Sequence, residues 1–212
     1  MSFASQVKGE LCREKVSRPC CARAEAYGIL LFCNSFTPQR LRVTTRSAEF
    51  AQRLPKLFKN AFSAEFDVRP ADTSTGGRLS FEVTDPKKME RILETYGYAR
   101  ENSISHHINY AVLEEECCRS AFLRGAFLAG GSVTNPEKRY HLELATSHLY
   151  VHRELQSLLM DMGFEPKMVS RNNNYVTYIK RSEAIADFLT TVGAPLSAME
   201  IMNAKVEKNL RN

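Results

Sequence analysis

Residues 20–36 read CCARAEAYGILLFCNSF and residues 117–133 read CCRSAFLRGAFLAGGSV, so the second stretch is a gapless copy of the first. Both begin with a Cys pair and share an Ala, a Gly, a Leu and a Ser at a constant offset of 97 residues. A repeat of this length is too long for a solenoid unit and predicts a duplicated half-domain. We therefore expect two similar units packed about a pseudo-twofold axis. The expected helix seam consists of the small residues Ala24, Gly28, Ala121 and Gly125.

The size and charge of the chain fit one domain built from two units. Its 212 residues are 43% hydrophobic, which is enough to bury one substantial core. A net charge of +5 permits an acidic partner but does not establish one. The chain has no run of 18 apolar residues, and residues 1–5 do not open a signal peptide, so we expect a cytoplasmic protein without membrane contact.

The six cysteines are expected to be reduced thiols in that compartment. Cys12, Cys20, Cys21 and Cys33 lack the C-x2-C spacing of structural zinc sites, and no His lies near them. Adjacent residues on a helix point about 100° apart, which makes it hard for both to reach one ion. We expect no metal site and no cofactor, with the Cys pairs acting as small, buried residues at the start of packed helices.

Hydrophobic periodicity predicts an α-β-β-α-β-β-α order in each half. The expected elements of the first half are an N-terminal helix at 5–14 capped by Ser5, the repeat helix at 20–32, a strand at 40–45, a helix after Ser47 kinked at Pro55, strands at 65–69 and 78–84, and a helix from Asp85 to Gly97. Those of the second half are the repeat helix at 117–129, a strand at 140–146, a helix at 147–162, strands at 165–170 and 174–180 around a turn at 171–173, and a helix at 182–192.

This order predicts an α+β fold with pseudo-twofold symmetry. The expected divisions are a first unit at 1–98, a linker at 99–116, a second unit at 117–198, and the start of a linker to a further domain at 199–212. The acids at 114–116 are expected to favour the positive N-terminus of the next helix rather than to catalyse a reaction.

A doubled unit of this kind, with a Gly-containing helix at the seam, resembles the LAGLIDADG homing-endonuclease fold. The stretch LRGAFLAGG at residues 123–131 matches that motif at its first Leu, first Gly, second Ala and last Gly. The resemblance implies that the C-terminal ends of the two helices sit at the centre of a saddle-shaped sheet lying on DNA.

The chain is also similar, over nearly its whole length, to the WhiA family of bacterial regulators. The residues that carry this resemblance are the opening at 2–13, both Cys-pair helices with the stretch through 133, the strand at 174–180 and the end at 208–212. The resemblance implies DNA binding and transcriptional control linked to cell division and sporulation in Gram-positive bacteria. It also implies a C-terminal helix-turn-helix domain, for which residues 199–212 are too short.

Cleavage chemistry of the homing-endonuclease class needs a carboxylate at the foot of each central helix to hold a divalent metal. The corresponding positions are Cys33 and Gly130, and no Asp or Glu occurs in residues 26–36 or 119–133. A hard cation requires oxygen ligands, so we expect no nuclease activity.

The leading hypothesis is a monomeric, nucleoid-associated domain that binds double-stranded DNA through its strands. Phosphate contacts need cations, and a two-stranded ribbon fits the major groove. The expected DNA-contacting residues are Arg40, Arg42, Arg46, Arg69, Arg139, His141, Lys167, Arg171, Asn174, Lys180 and Arg181. Acids at 65, 67, 82 and 143 share this surface. Two alternatives remain open: a protein-interaction or ligand-sensing module with DNA binding supplied by the helix-turn-helix domain, and an active nuclease with an unexpected metal site.

Overall fold

The computed structural model describes residues 1–16, 18–74, 76–98 and 104–212. The elements of the first half are α1 (Phe3–Leu11), α2 (Pro19–Phe32), β1 (Ser35–Phe36), β2 (Leu41–Thr45), α3 (Ala48–Phe62), β3 (Leu79–Val83) and α4 (Pro86–Thr95). Those of the second half are α5 (Glu116–Gly130), β4 (Gly131–Val133), β5 (Leu142–Thr146), α6 (Leu149–Asp161), β6 (Lys167–Arg171), β7 (Asn174–Ile179), α7 (Ser182–Val192) and α8 (Pro195–Arg211).

The described residues form two antiparallel sheets, one from each half. The first has the strand order β1-β2-β3 and the second the order β4-β5-β7-β6. In both, the central strand turns its apolar residues inward: Leu41 and Val43 are buried in β2, and Leu142 and Leu144 are buried in β5. The mixed α and β architecture with paired sheets is the one that the repeat predicts.

One of the three strands expected in the first half is absent, and the short strand β1 was not expected. Residues 65–69 do not form a strand, and only an isolated bridge joins Val68 to Glu82. The carboxylate of Asp67 explains the difference, because it accepts hydrogen bonds from the backbone N–H groups of Thr84 and Asp85 at 2.7 and 2.9 Å. Pro70 follows this segment and has no N–H to continue a ladder.

Two helix starts also differ from expectation, whereas that of α3 agrees with it. Ser2, not Ser5, caps α1 by accepting a hydrogen bond from the Ser5 N–H at 3.1 Å. His148, not Ser147, precedes α6. Helix α3 starts after its predicted cap Ser47 and continues through Pro55 without a break.

Most of residues 199–212, expected to start a linker, belong to α8. The first turn of α8 is held by buried Glu10 of α1, whose carboxylate accepts hydrogen bonds from the N–H groups of Leu196 and Ser197 at 2.8 and 2.9 Å. This contact ties the end of the described chain to its beginning. The expected boundary at residue 198 therefore falls inside a helix.

The expected linker at 99–116 is only partly described, since residues 99–103 lie outside the described residues. Its remainder packs against both halves rather than lying free in solvent. Ile108 and Leu113 are buried, and the Tyr27 hydroxyl donates a 2.6 Å hydrogen bond to the His107 carbonyl. Among the described residues, no helix is both long enough and apolar enough to span a bilayer.

Candidate nucleic-acid interface

The two repeat helices, α2 and α5, lie side by side at backbone contact. A Cβ atom added to Gly28 would stand 2.1 Å from the Phe122 carbonyl oxygen, and one added to Gly125 would stand 2.0 Å from the Glu25 carbonyl oxygen. Ala24 and Ala121 are fully buried in the same helices. Since only glycine permits such an approach, the four small residues of the predicted seam lie where the two halves meet.

Both sheets begin at the same end of this helix pair. Strand β1 starts three residues after α2 ends, and β4 follows α5 directly. At this end the Thr146 hydroxyl of β5 donates a 2.9 Å hydrogen bond to the Leu31 carbonyl of α2, which joins the second sheet to the first seam helix. The outer sheet faces therefore flank the C-terminal ends of the seam helices.

The two positions that correspond to catalytic carboxylates lie at that end. The Cys33 thiol donates to the Leu30 carbonyl at 3.2 Å, and burial raises the pKa of this thiol to about 12. At Gly130, a Cβ would stand 2.5 Å from the Ala145 carbonyl oxygen and 3.2 Å from the Phe32 Cβ. A side chain does not fit at Gly130 without backbone movement.

The outer face of the first sheet carries the predicted cations of β2. Arg42 and Thr44 alternate with the buried Leu41 and Val43, so their side chains project from the opposite face. Arg40 and Arg46 flank the strand and are exposed. Arg40 forms an ion pair with Glu82, whose Cα lies opposite that of Arg42 in β3.

Arg69 is exposed but belongs to the segment that forms no strand. The neighbouring Asp67 is paired with Lys88 at 2.7 Å. Arg69 is therefore a predicted DNA-contacting residue of the first half that does not belong to a β-strand.

The outer face of the second sheet gathers most of the predicted residues of that half. Strand register places Lys167 opposite Tyr178, and Arg171 opposite Asn174, on the side of the sheet that also carries Glu143. Lys180 lies with its ammonium 5.4 Å from the centre of the Tyr178 ring. The face thus combines cations with an aromatic surface.

Glu143 occupies the centre of this face and neutralises part of it. Its carboxylate contacts His141 at 3.0 Å and Arg171 at 2.9 Å. Partial burial acts to raise the pKa of Glu143, but the hydrogen bonds from these two side chains outweigh it and the pKa is lowered. The strand position equivalent to Glu143 in the first sheet is Arg42, so the two faces differ in charge at their centres.

The two remaining predicted residues lie at the borders of the second sheet. Arg139 precedes β5 and is exposed. Arg181 precedes α7 and lies 3.7 Å from Glu165, with both side chains largely in solvent. Such an exposed pair is worth little and leaves Arg181 available to a partner.

Several polar atoms on these faces have no hydrogen-bond partner among the described residues. They are Arg42 Nε, Thr44 Oγ1 and His141 Nδ1, together with Tyr140 OH beside β5. Buried polar atoms are nearly always paired in folded proteins. Two of these atoms, Arg42 Nε and Thr44 Oγ1, belong to side chains at outer strand positions, where they lie beneath the solvent-accessible surface.

A buried ionic cluster beneath the seam was not anticipated from the sequence. Glu25 is fully buried and accepts from Arg53 at 2.8 Å through both carboxylate oxygens, and from Arg124 Nε at 2.6 Å. Arg124 also donates to the Val192 carbonyl at 2.8 Å. The cluster joins α3 of the first half to α5 and α7 of the second. Glu25, a charged residue in a largely apolar repeat helix, was the available signal.

The Cys pairs also differ from expectation. The sulfur atoms of Cys20, Cys21, Cys117 and Cys118 all lie within 4.8 Å of one another, although neighbours on one helix diverge. They converge because each pair starts a seam helix, and the crossing brings Cys20 to Cys118 and Cys21 to Cys117. Burial followed by hydrogen bonding between thiols raises the pKa of Cys21 to about 11 and that of Cys118 to about 12.

Comparison with known structures agrees with the architecture. The full-length DUF199/WhiA protein from "Thermatoga maritima" superposes with a TM-score of 0.77 at 20% identity, covering 98% of this chain and 67% of that one. The homing endonuclease I-DmoI in complex with DNA and Mn superposes with a TM-score of 0.57 at 15% identity, covering 82% and 97%. At these identities the likeness shows the fold alone.

Sequence comparison identifies the family. The family model described as the WhiA LAGLIDADG-like domain matches residues 119–211. The "Probable cell division protein WhiA" of Ruminiclostridium cellulolyticum is 35% identical over all of this chain and 70% of its own length. That of Alkaliphilus metalliredigens is 33% identical over all of this chain and 71% of its own length. This chain belongs to the WhiA family of cell division proteins and carries its LAGLIDADG-like domain.

Proposed function

We propose that this domain binds double-stranded DNA on the outer faces of its two sheets, without cleaving it, as part of a transcription regulator of cell division and sporulation. One observation supports this above the others. Both faces start at the same end of the seam helices and carry exposed cations. These cations would contact phosphate oxygens, and base edges would pair with the strand side chains.

The fold neighbours support DNA binding by this architecture. I-DmoI, which shares this architecture, is described in complex with its target DNA. The cations of the predicted DNA-contacting set, which runs from Arg40 to Arg181 in the sequence, would contact the phosphates. A single chain already contains both halves of the seam, so we propose that the domain acts as a monomer on the nucleoid.

We attribute the absence of cleavage to the two residues at the C-terminal ends of the seam helices. Cys33 carries a thiol whose pKa is raised by burial, and Gly130 has no room for a carboxylate. Mg²⁺ needs oxygen ligands in near-octahedral geometry. Neither position supplies one, so the domain is a degenerate relative of the nucleases rather than an enzyme.

A second function, an interaction module whose DNA affinity resides in a helix-turn-helix domain of the longer protein, is favoured by one observation. Glu82 and Glu143 already pair with Arg40, His141 and Arg171 and reduce the positive charge of both faces. In that case the fragment alone would bind DNA weakly.

A titration of labelled duplex DNA with this 212-residue chain at several salt concentrations separates the two functions. We expect the logarithm of the binding constant to fall linearly with the logarithm of the salt concentration, with a slope of about −0.9 for each phosphate contacted. We expect the DNA to remain intact with Mg²⁺ or Mn²⁺. Undetectable binding at low salt would favour the interaction module, and metal-dependent cutting that persists through repurification would overturn the non-catalytic assignment.

A further inference from the structure

The four cysteines at the start of the seam helices form a cluster that the DNA-binding proposal does not use. They lie at the N-terminal end of the helix pair, whereas the sheets begin at its C-terminal end. Cys20 and Cys21 occupy the first turn of α2, and Cys117 and Cys118 occupy the first turn of α5. The pseudo-twofold relation that converts Cys20 into Cys117 also converts the contact Cys20–Cys118 into the contact Cys117–Cys21.

We propose that Cys20, Cys21, Cys117 and Cys118 together bind one zinc ion in a tetrahedral tetrathiolate site that joins the two halves. A Zn–S bond of about 2.3 Å sets the edges of a regular ZnS4 tetrahedron at about 3.8 Å. The four sulfur atoms already lie within 4.8 Å of one another, so small side-chain rotations complete the geometry. Two ligands from each half place the ion on the pseudo-twofold axis.

The surroundings suit a negatively charged metal site. Zinc bound by four thiolates carries a net charge of minus two; the N-terminus of α2 provides positive potential, whereas that of α5 is partly offset by the acids at 114–116. Neither α2 nor α5 has a side-chain hydrogen bond at its N-cap. The Arg18 guanidinium lies 3.8 Å from the Cys117 sulfur and adds a further positive charge.

The ion has a route to the cluster. Three of the four cysteines are only half-buried, and a cavity of about 340 Å³ borders Cys20 and Cys118. The short distances between sulfur atoms favour one ion over an iron–sulfur cluster, which places iron and sulfide between its thiolates. Soft thiolate donors select zinc over Mg²⁺.

The experiment measures metal content and geometry on the reduced 212-residue chain. After zinc loading and removal of free ion, elemental analysis should give about one zinc per chain. Cobalt(II) in place of zinc should give the intense visible absorption of tetrahedral tetrathiolate cobalt. The Cys20→Ser/Cys118→Ser and Cys21→Ser/Cys117→Ser variants should lose both signals, and the matched Cys12→Ser/Cys33→Ser variant should retain them.

A chelator should lower the melting temperature of the parent protein and of the control variant, because the ion binds only the folded arrangement. This readout uses the parent chain, so the test does not depend on the folding of the cysteine variants. A folded, reduced parent that binds no more zinc than the Cys20→Ser/Cys118→Ser variant would overturn the proposal. So would four cysteines that purify as two disulfides in the presence of zinc and reductant.

Discussion

Gly28 of the first half lies so close to the Phe122 carbonyl oxygen of the second that a Cβ on Gly28 would stand 2.1 Å from it. The equivalent glycine, Gly125, meets the Glu25 carbonyl in the same way. The two halves therefore meet at backbone contact, and a methyl group at either glycine should force them apart.

Gly125→Ala should lower the free energy of unfolding by about 1–3 kcal/mol or more through overpacking, measured by chemical denaturation. Gly9→Ala is the matched control, since its Cβ would meet only the Glu49 side chain at 3.9 Å. Gly9 lies within α1, so alanine there should stabilise the protein by about 0.5–1 kcal/mol. Equal effects of the two substitutions on the free energy of unfolding would show that the helix contact at Gly125 has room for a methyl group.

Glu25→Gln should cost about 3–5 kcal/mol of unfolding free energy, because Arg53 and Arg124 would keep their buried charges without a carboxylate. The side chains of these two arginines are only 7% and 10% exposed. Glu207→Gln, at an exposed pair on α8, should change stability by less than about 0.5 kcal/mol. A Glu25→Gln protein as stable as its parent would mean that the cluster adds no stability.

The unfolding free energy should decrease as the pH is lowered below about 6.5, because of the neighbouring rings of His106 and His148. Their ring centres lie 4.1 Å apart. Burial, followed by the charge of His106, lowers the pKa of His148 to about 4. The unfolded chain, with a pKa near 6.5, binds the proton first, so this contribution is complete above about pH 6.5 and is lost as the pH falls towards 4.

For His148 alone the loss should not exceed about 2 kcal/mol at pH 5, because solvent screens a partly exposed group, and it is measured as unfolding free energy at about pH 7.5 and pH 5. The His148→Gln variant should lose less stability than its parent over this interval. Parallel pH profiles for the two proteins would contradict the assignment.

Glu143→Gln should strengthen DNA binding, since it removes a negative charge from the second face and releases Arg171 and His141. The slope of log K against log salt should steepen by up to about 0.9 for each additional phosphate that the protein touches. Glu207→Gln removes one negative charge from α8 instead and should leave the slope unchanged. Weaker binding by Glu143→Gln would indicate that the carboxylate itself contacts the DNA.

The sequence predicted the parts of the fold that depend on local pattern and on the repeat. Gly28 and Gly125 occupy equivalent positions of the repeat, and this equivalence predicted that the two helices pack together there. The strand expected at 65–69 does not form, because the Asp67 carboxylate accepts hydrogen bonds from the backbone N–H groups of Thr84 and Asp85. The alternation of apolar and polar residues does not reveal such a tertiary contact. The convergence of Cys20 with Cys118 was missed for a related reason. The directions in which side chains leave one helix do not indicate which side chains a second, crossing helix brings close to them.

The central claim is that the sheet faces bind DNA, and the Arg40→Ala/Arg42→Ala/Arg46→Ala variant tests it most directly. Leu41 and Val43 keep the inner face of β2 intact, so the variant should fold. The control Lys56→Ala/Lys59→Ala/Lys87→Ala removes three exposed cations from α3 and α4. The measurement is the slope of log K against log salt for duplex DNA. We predict a slope flatter by up to about 0.9 for each lost phosphate contact, weaker binding to all sequences, and no change in the control. A folded triple-arginine variant with the affinity and slope of its parent would contradict the account.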